Sequence, residues 1–119
     1  MDHKRIMVVE DDPGIRDVLE ILLTNISDHL YIAPTATAFY SELGKYIPDL
    51  FIIDIMLPDG NGVDICEDLK KRKSTSEVPI ILMSANLTFA NVLHCKADLF
   101  VHKPFDIKTF VGGVKSLLN

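Results

Sequence analysis

Five polar side chains that could do chemistry together each follow a short apolar run. Asp54 closes Leu50-Phe51-Ile52-Ile53 and opens onto Ile55-Met56-Leu57-Pro58-Asp59-Gly60-Asn61-Gly62. Glu10 and Asp11 close Ile6-Met7-Val8-Val9, Ser84 closes residues 79–83, and Lys103 closes residues 99–102. A continuous apolar run bounded by turn residues reads as a strand buried on both faces. The five therefore fall at the carboxyl ends of four strands, the rim where open α/β sheets bind ligands. Asp54 on its own has two readings. It caps the next helix or pairs with a lysine, or it is a nucleophile or metal ligand, and its own stretch leaves both open.

Taken together the five point to one chemistry. Three converging carboxylates repel, so some stay protonated unless a cation binds. A hard cation such as Mg²⁺ accepts a few carboxylates plus water and phosphate oxygens. Lys103 adds a mobile positive charge suited to a phosphate, and Ser84 adds a hydroxyl donor. Carboxylate nucleophile, metal, lysine and hydroxyl make a phosphoryl-transfer site with an aspartyl-phosphate intermediate.

The elements that must position these groups follow in chain order. Residues 5–9 form a first buried strand. Asp12 is the N-cap of a helix over about residues 13–26, with Pro13 at its first position and Ile15, Val18, Leu19, Leu22, Leu23 and Ile26 at helical spacing. Residues 30–33 form a short strand and residues 34–37 a loop. A second helix then runs to about residue 45, with Phe39, Leu43 and, as a candidate, Tyr40 facing inward. After the central strand, Val63, Ile65, Cys66 and Leu69 pattern a third helix, and residues 74–77 form an exposed loop. A fourth strand over residues 79–83 ends at Ser84. Residues 86–95 form a short fourth helix, residues 99–102 a fifth strand and residues 106–118 the last helix. Strand and helix alternate five times, which implies a parallel sheet covered on both faces.

At 119 residues the chain is one domain, residues 1–119, with a single core. The net charge of −5 argues against a nucleic-acid partner, because phosphate backbone is bound by a positive surface. The basic run Lys70-Lys71-Arg72-Lys73 reads as a solvated helix end. No run approaches the length of a membrane span and no signal-peptide core follows Met1, so the expectation is a cytoplasmic protein with no membrane partner. Cys66 and Cys95, both in helical patterns, read as free thiols in a reducing compartment. His3, His29, His94 and His102 share no ligand spacing and read as structural or surface groups.

Four stretches, Val8-Val9-Glu10-Asp11-Asp12, Asp54 through Gly62, Ser84-Ala85, and Ala97-Asp98-Leu99-Phe100-Val101-His102-Lys103-Pro104-Phe105, stand in an order that resembles the receiver domain of two-component response regulators over the whole chain. The resemblance implies a single-domain, flavodoxin-like, doubly wound five-stranded parallel sheet of order 2-1-3-4-5 with five helices. It makes Asp54 the phosphoacceptor, served by a phosphohistidine of a sensor histidine kinase or phosphotransfer protein. Glu10, Asp11, Asp54 and the backbone carbonyl of Met56 would hold Mg²⁺. Asp12, one place beyond the family pair, caps the helix first and has a water-mediated metal role second. Ser84, with Ala85 beside it, matches the switch hydroxyl that binds the phosphoryl group. Lys103 matches the family lysine, Pro104 follows a cis peptide, and Phe100 is the switch aromatic.

On that resemblance, phosphorylation adds roughly −1.5 to −2 charges at Asp54. Ser84 is drawn toward the phosphoryl oxygens and Phe100 turns into the space behind it. The surface of helix 4, strand 5 and helix 5 changes as a population shift, and it is the expected face for a homodimer or output partner. The chain is then a signalling module, limited to self-directed phosphotransfer and autodephosphorylation. It is either stand-alone or a piece of a larger regulator. The rival is a Mg²⁺-dependent aspartyl-nucleophile phosphatase, which wants a second carboxylate two residues after the nucleophile, where Met56 stands. A flavodoxin-like cofactor binder would need a phosphate loop after strand 1, where Glu10-Asp11-Asp12 repels phosphate.

Three features depart from the family pattern or from helical preference. Lys96 replaces the usual Gly, so a left-handed residue there carries strain of about 1 kcal/mol or the helix ends differently. The stretch from Ser84 to Lys103 is about one helical turn shorter than usual, so helix 4 is expected to be shortened or displaced. Gly112-Gly113 inside the last helix reads as close packing or a frayed end ahead of a partner surface.

Overall fold

The computed structural model describes residues 4–85 and 95–119. The apolar runs are strands: β1 (Arg5–Val9), β2 (His29–Ala33), β3 (Leu50–Asp54), β4 (Ile80–Ser84) and β5 (Leu99–His102). They pair in parallel in the spatial order β2-β1-β3-β4-β5. This is the doubly wound, flavodoxin-like arrangement expected from the resemblance, and its topological switch lies between β1 and β3.

The interior strands are apolar apart from Arg5 at the start of β1 and the rim residues Asp54 and Ser84 that end β3 and β4, because both faces are covered. Met7, Val9, Phe51, Ile53, Ile80 and Leu82 point to one side, where α2 (Ala36–Leu43) and α3 (Gly62–Lys71) bring Phe39, Leu43, Cys66 and Leu69. Ile6, Val8, Leu50, Ile52, Ile81 and Met83 point to the other. There α1 (Pro13–Thr24) and the C-terminal helix (Ile107–Leu118) supply Leu19, Leu23, Phe110, Val114 and Leu118. The strand period of two divides a uniformly apolar sequence into two cores. β5 lies at the sheet edge and shows the alternation openly: Leu99 and Val101 pack inward, Phe100 and His102 are exposed.

The four described helices start on side-chain caps. Asp12 Oδ1 accepts from Ile15 N at 3.1 Å, Thr35 Oγ1 from Ala38 N at 3.1 Å, Asn61 Oδ1 from Val63 N at 2.7 Å, and Asp106 Oδ2 from Thr109 N at 2.8 Å. Each satisfies an N–H that has no partner inside its helix. Asp12 is thus the expected cap, with Pro13 at the first helical position.

Several local expectations change. The first helix ends at Thr24, two residues short of Ile26, and the second begins at Ala36, inside the expected loop, and ends at Leu43. Tyr40 is only half-buried, because its hydroxyl donates to Asp68 Oδ2 at 2.8 Å across to α3. The loop of residues 74–77 is not fully exposed: Thr75 is buried, and its hydroxyl donates to the Leu69 carbonyl at 2.5 Å, satisfying an orphan carbonyl of the last turn of α3. Two members of the basic run are engaged. Lys70 Nζ donates to the Val78 carbonyl, and Arg72 pairs with Asp68 at 2.9 Å. Cys95 lies in irregular chain. No described residue other than glycine has positive φ, so Lys96 does not take the strained left-handed conformation. The expected fourth helix and its shortening fall on residues 86–94, outside the described residues.

The two glycines of the C-terminal helix differ. A Cβ built on Gly113 stands 2.6 Å from Leu99 Cδ2, whereas one on Gly112 meets nothing within 4 Å. Gly113 is a close-packing position against β5 and Gly112 is open. Gly112→Ala is therefore expected to raise stability by about 1 kcal/mol in urea unfolding, with Gly113→Ala gaining less because Leu99 must shift. Equal gains from both would refute the contact.

Candidate functional site

The sheet order sets the site. β1 and β3 are hydrogen-bonded neighbours, and β4 and β5 extend the same rim, so residues far apart in sequence end at one edge. One carboxylate oxygen from each of Glu10, Asp11 and Asp54 lies within 4.8 Å of the others. Glu10 and Asp54 are buried and Asp11 is exposed, so the group opens to solvent on the Asp11 side. Lys103 Nζ lies 2.6 Å from Glu10 Oε1 and 3.4 Å from Asp54 Oδ1. Glu10 Oε1 makes no well-angled hydrogen bond, so this buried oxygen is held by charge attraction alone. Glu10 Oε2 accepts from Asp12 N at 3.1 Å.

One ammonium does not neutralise three carboxylates. Burial, then the neighbouring Glu10 charge, push the Asp54 carboxyl up to about 7 from an ordinary 3.8, with Lys103 opposing. The donor set is oxygen-only and acidic, with more negative charge than Lys103 offsets, which fits a hard divalent cation.

The remaining expected residues fall around this group. Ser84 is buried at the end of β4, and its carbonyl accepts from Lys103 N at 2.9 Å, which fixes where the lysine leaves β5. Ala85 is exposed just beyond. The Lys103–Pro104 peptide is cis. Phe100 is 38% exposed and turned out of the sheet. Met56 also points outward, 68% exposed, while its backbone N–H donates to Asp54 Oδ1 at 3.3 Å. His102, next to Lys103, faces away and stays exposed.

Three positioning residues were given no such role by the sequence reading. Arg16 Nη1 reaches back from α1 to donate to the carbonyls of Glu10 at 3.1 Å and Asp11 at 2.7 Å, pinning the turn that carries both acids. Asp59 sits at the tip of a small hairpin in which Met56–Leu57 pairs with Gly60–Asn61. Its carboxylate accepts from Thr37 Oγ1 at 2.7 Å and from the N–H groups of Ala36 and Thr37 at 2.8 and 3.0 Å. Those bonds, the Thr37 hydroxyl first, hold its carboxyl below the usual range. Gly62 is the third: its N–H donates to the Ile55 carbonyl at 2.8 Å, and a Cβ there would stand 2.8 Å from the Asp54 carbonyl carbon and from Ile55 Cα and collide with the Asp54 carbonyl oxygen. Those are backbone atoms and cannot swing aside. A capping Asn and a glycine after a loop were the only readable signals.

Two outcomes follow. Gly62→Ala should cost about 1–3 kcal/mol in urea unfolding, because the backbone of Asp54 must move; an unchanged midpoint would refute the close approach. Asp54 has a folded-state pKa above its unfolded value, so it stays protonated in the fold while the unfolded chain ionises. Its contribution to stability is full below about pH 4 and is lost as pH rises through about 7. Compared with Asp54→Asn, the metal-free wild type should lose ground over that window at up to roughly 1.4 kcal/mol per pH unit. Thermal unfolding of both proteins from pH 4 to 8 checks this, and parallel profiles would contradict it.

The chain matches the model of the response regulator receiver domain over residues 6–115. It is 33% identical over 120 residues to the DNA-binding response regulator MtrA of Mycolicibacterium smegmatis, an alignment spanning 98% of this chain and 51% of that protein. It is 29% identical over 119 residues to the phosphate regulon transcriptional regulatory protein PhoB of Escherichia coli, spanning 98% and 52%. The chain thus spans about half the length of the curated relatives it matches. Among solved structures, response regulator protein TrrA from Thermotoga maritima in complex with Mg(2+)-BeF superposes with a TM-score of 0.85 at 29% identity, covering 97% of this chain and 99% of that one. A CheY-like receiver domain protein from Methanospirillum hungatei superposes at 0.88 with 26% identity, covering 98% and 94%. The acid group at the β1–β3 switch point sits in a chain that belongs to the receiver domain family of two-component response regulators.

Proposed function

We propose that Asp54 is the phosphoacceptor of this receiver domain, and that Glu10, Asp11, Asp54 and the Met56 backbone carbonyl hold Mg²⁺. The observation that carries the reading is a buried Asp54 carboxylate grouped with two further acids within 4.8 Å and facing Lys103 at 3.4 Å. The TrrA relative in complex with Mg(2+)-BeF supports the choice of metal. Bound there, the cation would neutralise charge on the acids and on the transferring phosphoryl oxygens.

The chain's own groups then act as follows. Ionised Asp54 attacks phosphorus in line; its new O–P bond forms as the N–P bond of the phosphohistidine breaks, and the imidazole leaves with the electron pair. With its carboxyl pushed up to about 7, Asp54 is ionised in only part of the metal-free molecules at neutral pH. Lys103 has two carboxylates within reach and transfers its ion pairing toward the phosphoryl oxygens. Ser84, at the end of the adjacent strand, donates to another, and Phe100 turns inward behind it. Ala85 borders the same oxygens. The phosphatase alternative lacks its acid, since Met56 stands two places after Asp54 with an exposed side chain.

On this reading, residues 1–119 form one receiver unit that phosphorylates and dephosphorylates only itself. A sensor histidine kinase or phosphotransfer protein supplies the phosphoryl group in the cytoplasm. The face of β5 and the C-terminal helix, with the fourth helix expected from sequence, meets a second copy or an output partner. MtrA is a DNA-binding response regulator, and this chain corresponds to about half of it.

The test uses acetyl phosphate with Mg²⁺ and intact-mass measurement. Wild type gains one phosphoryl group and Asp54→Asn gains none. Incorporation into Asp54→Asn would make the assignment wrong.

A further inference from the structure

Away from the acid group, the two cysteines of the chain meet. Cys66 projects from the middle of α3 and is buried; Cys95, on the irregular chain approaching β5, is half-buried. Their sulfurs lie 2.6 Å apart, although the residues are 29 positions apart in sequence. Both pack in the core cluster on the α2–α3 side of the sheet.

A second contact holds the same two segments together. Lys70, one turn beyond Cys66 on α3, pairs through Nζ with Asp98 Oδ2 at 3.3 Å, and Asp98 is three residues beyond Cys95. The same Asp98 oxygen accepts from Ile80 N at 2.8 Å, and Asp98 N donates to the Ile80 carbonyl at 2.8 Å. Cys66 with Cys95 and Lys70 with Asp98 therefore form two rungs between one face of α3 and the approach to β5. The ionic rung keeps the sulfurs in register.

We propose that Cys66 and Cys95 are an oxidation site: a peroxide-class oxidant joins them in an intrachain disulfide that ties α3 to the segment leading into β5. This stands apart from the phosphoryl reading and uses none of its residues.

The two thiols have different parts. Cys95 is the accessible member, and Lys96, which follows it, lines a surface cavity of about 310 Å³ together with Glu67, Lys70 and Lys71. As thiolate it attacks the O–O bond of the peroxide. An S–O bond forms, hydroxide leaves and is protonated to water, and Cys95 becomes a sulfenic acid. Cys66 then attacks that sulfur. The S–O bond breaks, the Cys66 proton goes to the departing hydroxide, and a second water leaves. Two thiols have given up two electrons and two protons, and one peroxide has become two waters. Burial first, and then contact with Cys95, push the Cys66 thiol well above the usual range, so Cys66 enters as the protonated partner whose proton leaves with the hydroxide. An S–S bond of about 2.04 Å lies within a fraction of an ångström of the existing contact.

The experiment treats the reduced chain with hydrogen peroxide and reads intact mass, peptide mapping and thermal midpoint. Wild type is expected to lose two hydrogens, to yield a linked peptide pair containing Cys66 and Cys95 without covalent dimer, and to melt higher. Dithiothreitol should reverse all three. Cys66→Ser should instead leave a sulfenic acid on Cys95 that dimedone traps. Should that core substitution not fold, Cys95→Ser, at the half-buried position, must show neither the mass loss nor the rise in midpoint. Covalent dimers, over-oxidation of either cysteine in wild type without the linked pair, or a linked pair with no change in midpoint would overturn the proposal.

Discussion

The rim of the sheet gathers more negative charge than it can neutralise. Glu10 and Asp54 are buried beside one another, Asp11 faces solvent, and Lys103 divides one positive charge between the two buried acids at 2.6 and 3.4 Å. Burial weakens the solvation of each charge, so the imbalance is expressed as chemistry. Protons stay on Asp54 to about pH 7, or a cation takes their place. On the proposed reading, a site built this way would bind a metal and respond to phosphoryl charge for the same reason.

That holds only because the acids cannot drift apart. Arg16 fixes the turn bearing Glu10 and Asp11 through two carbonyls. The loop after Asp54 is fixed at three points: Gly62 N–H to the Ile55 carbonyl, Asn61 on the first turn of α3, and Asp59 on the N-terminus of α2. The bond from Lys103 N to the Ser84 carbonyl sets the lysine's departure from β5. Every anchor reaches backbone groups, with the Thr37 hydroxyl added at Asp59, so the loops hold their shape while the side chains at the rim stay free to exchange partners. A flexible rim would relieve the repulsion by spreading, and Asp54 would titrate like an ordinary carboxylate.

The strands and their carboxyl-end residues were legible because a parallel strand covered on both faces must be apolar throughout and must stop at the first group that needs solvent or a ligand. Asp54, Glu10 and Lys103 could be placed at one rim without any knowledge of their neighbours. Helix starts were legible where a cap precedes an apolar period, as at Asp12. The anchors were not. Arg16, Asp59 and Thr75 bind backbone groups brought near only by tertiary folding, and such contacts leave no spacing. Tyr40 looked inward on an apolar face, yet Asp68 on another helix holds its hydroxyl at the surface. Cys66 and Cys95 were read as free thiols with no contact expected between them, since nothing in sequence places the approach to β5 against the middle of α3.

α3 joins these observations. Its first residue, Gly62, rests on the backbone of Asp54, and its last turn, through Lys70, grips Val78 and Asp98 where β4 and β5 begin. A helix of 10 residues spans about 15 Å and does not shorten. It is therefore a strut between the carboxyl end of the central strand and the opposite ends of the two strands that carry Ser84 and Lys103. Tilting it would break the Gly62 contact, the Lys70 contacts, or both. The carboxyl ends of β3, β4 and β5 are thus held in mutual register by a helix that contributes no side chain to the acid group. The thiol pair lies along that strut, so a covalent bond there would stiffen the same linkage that keeps the rim in place.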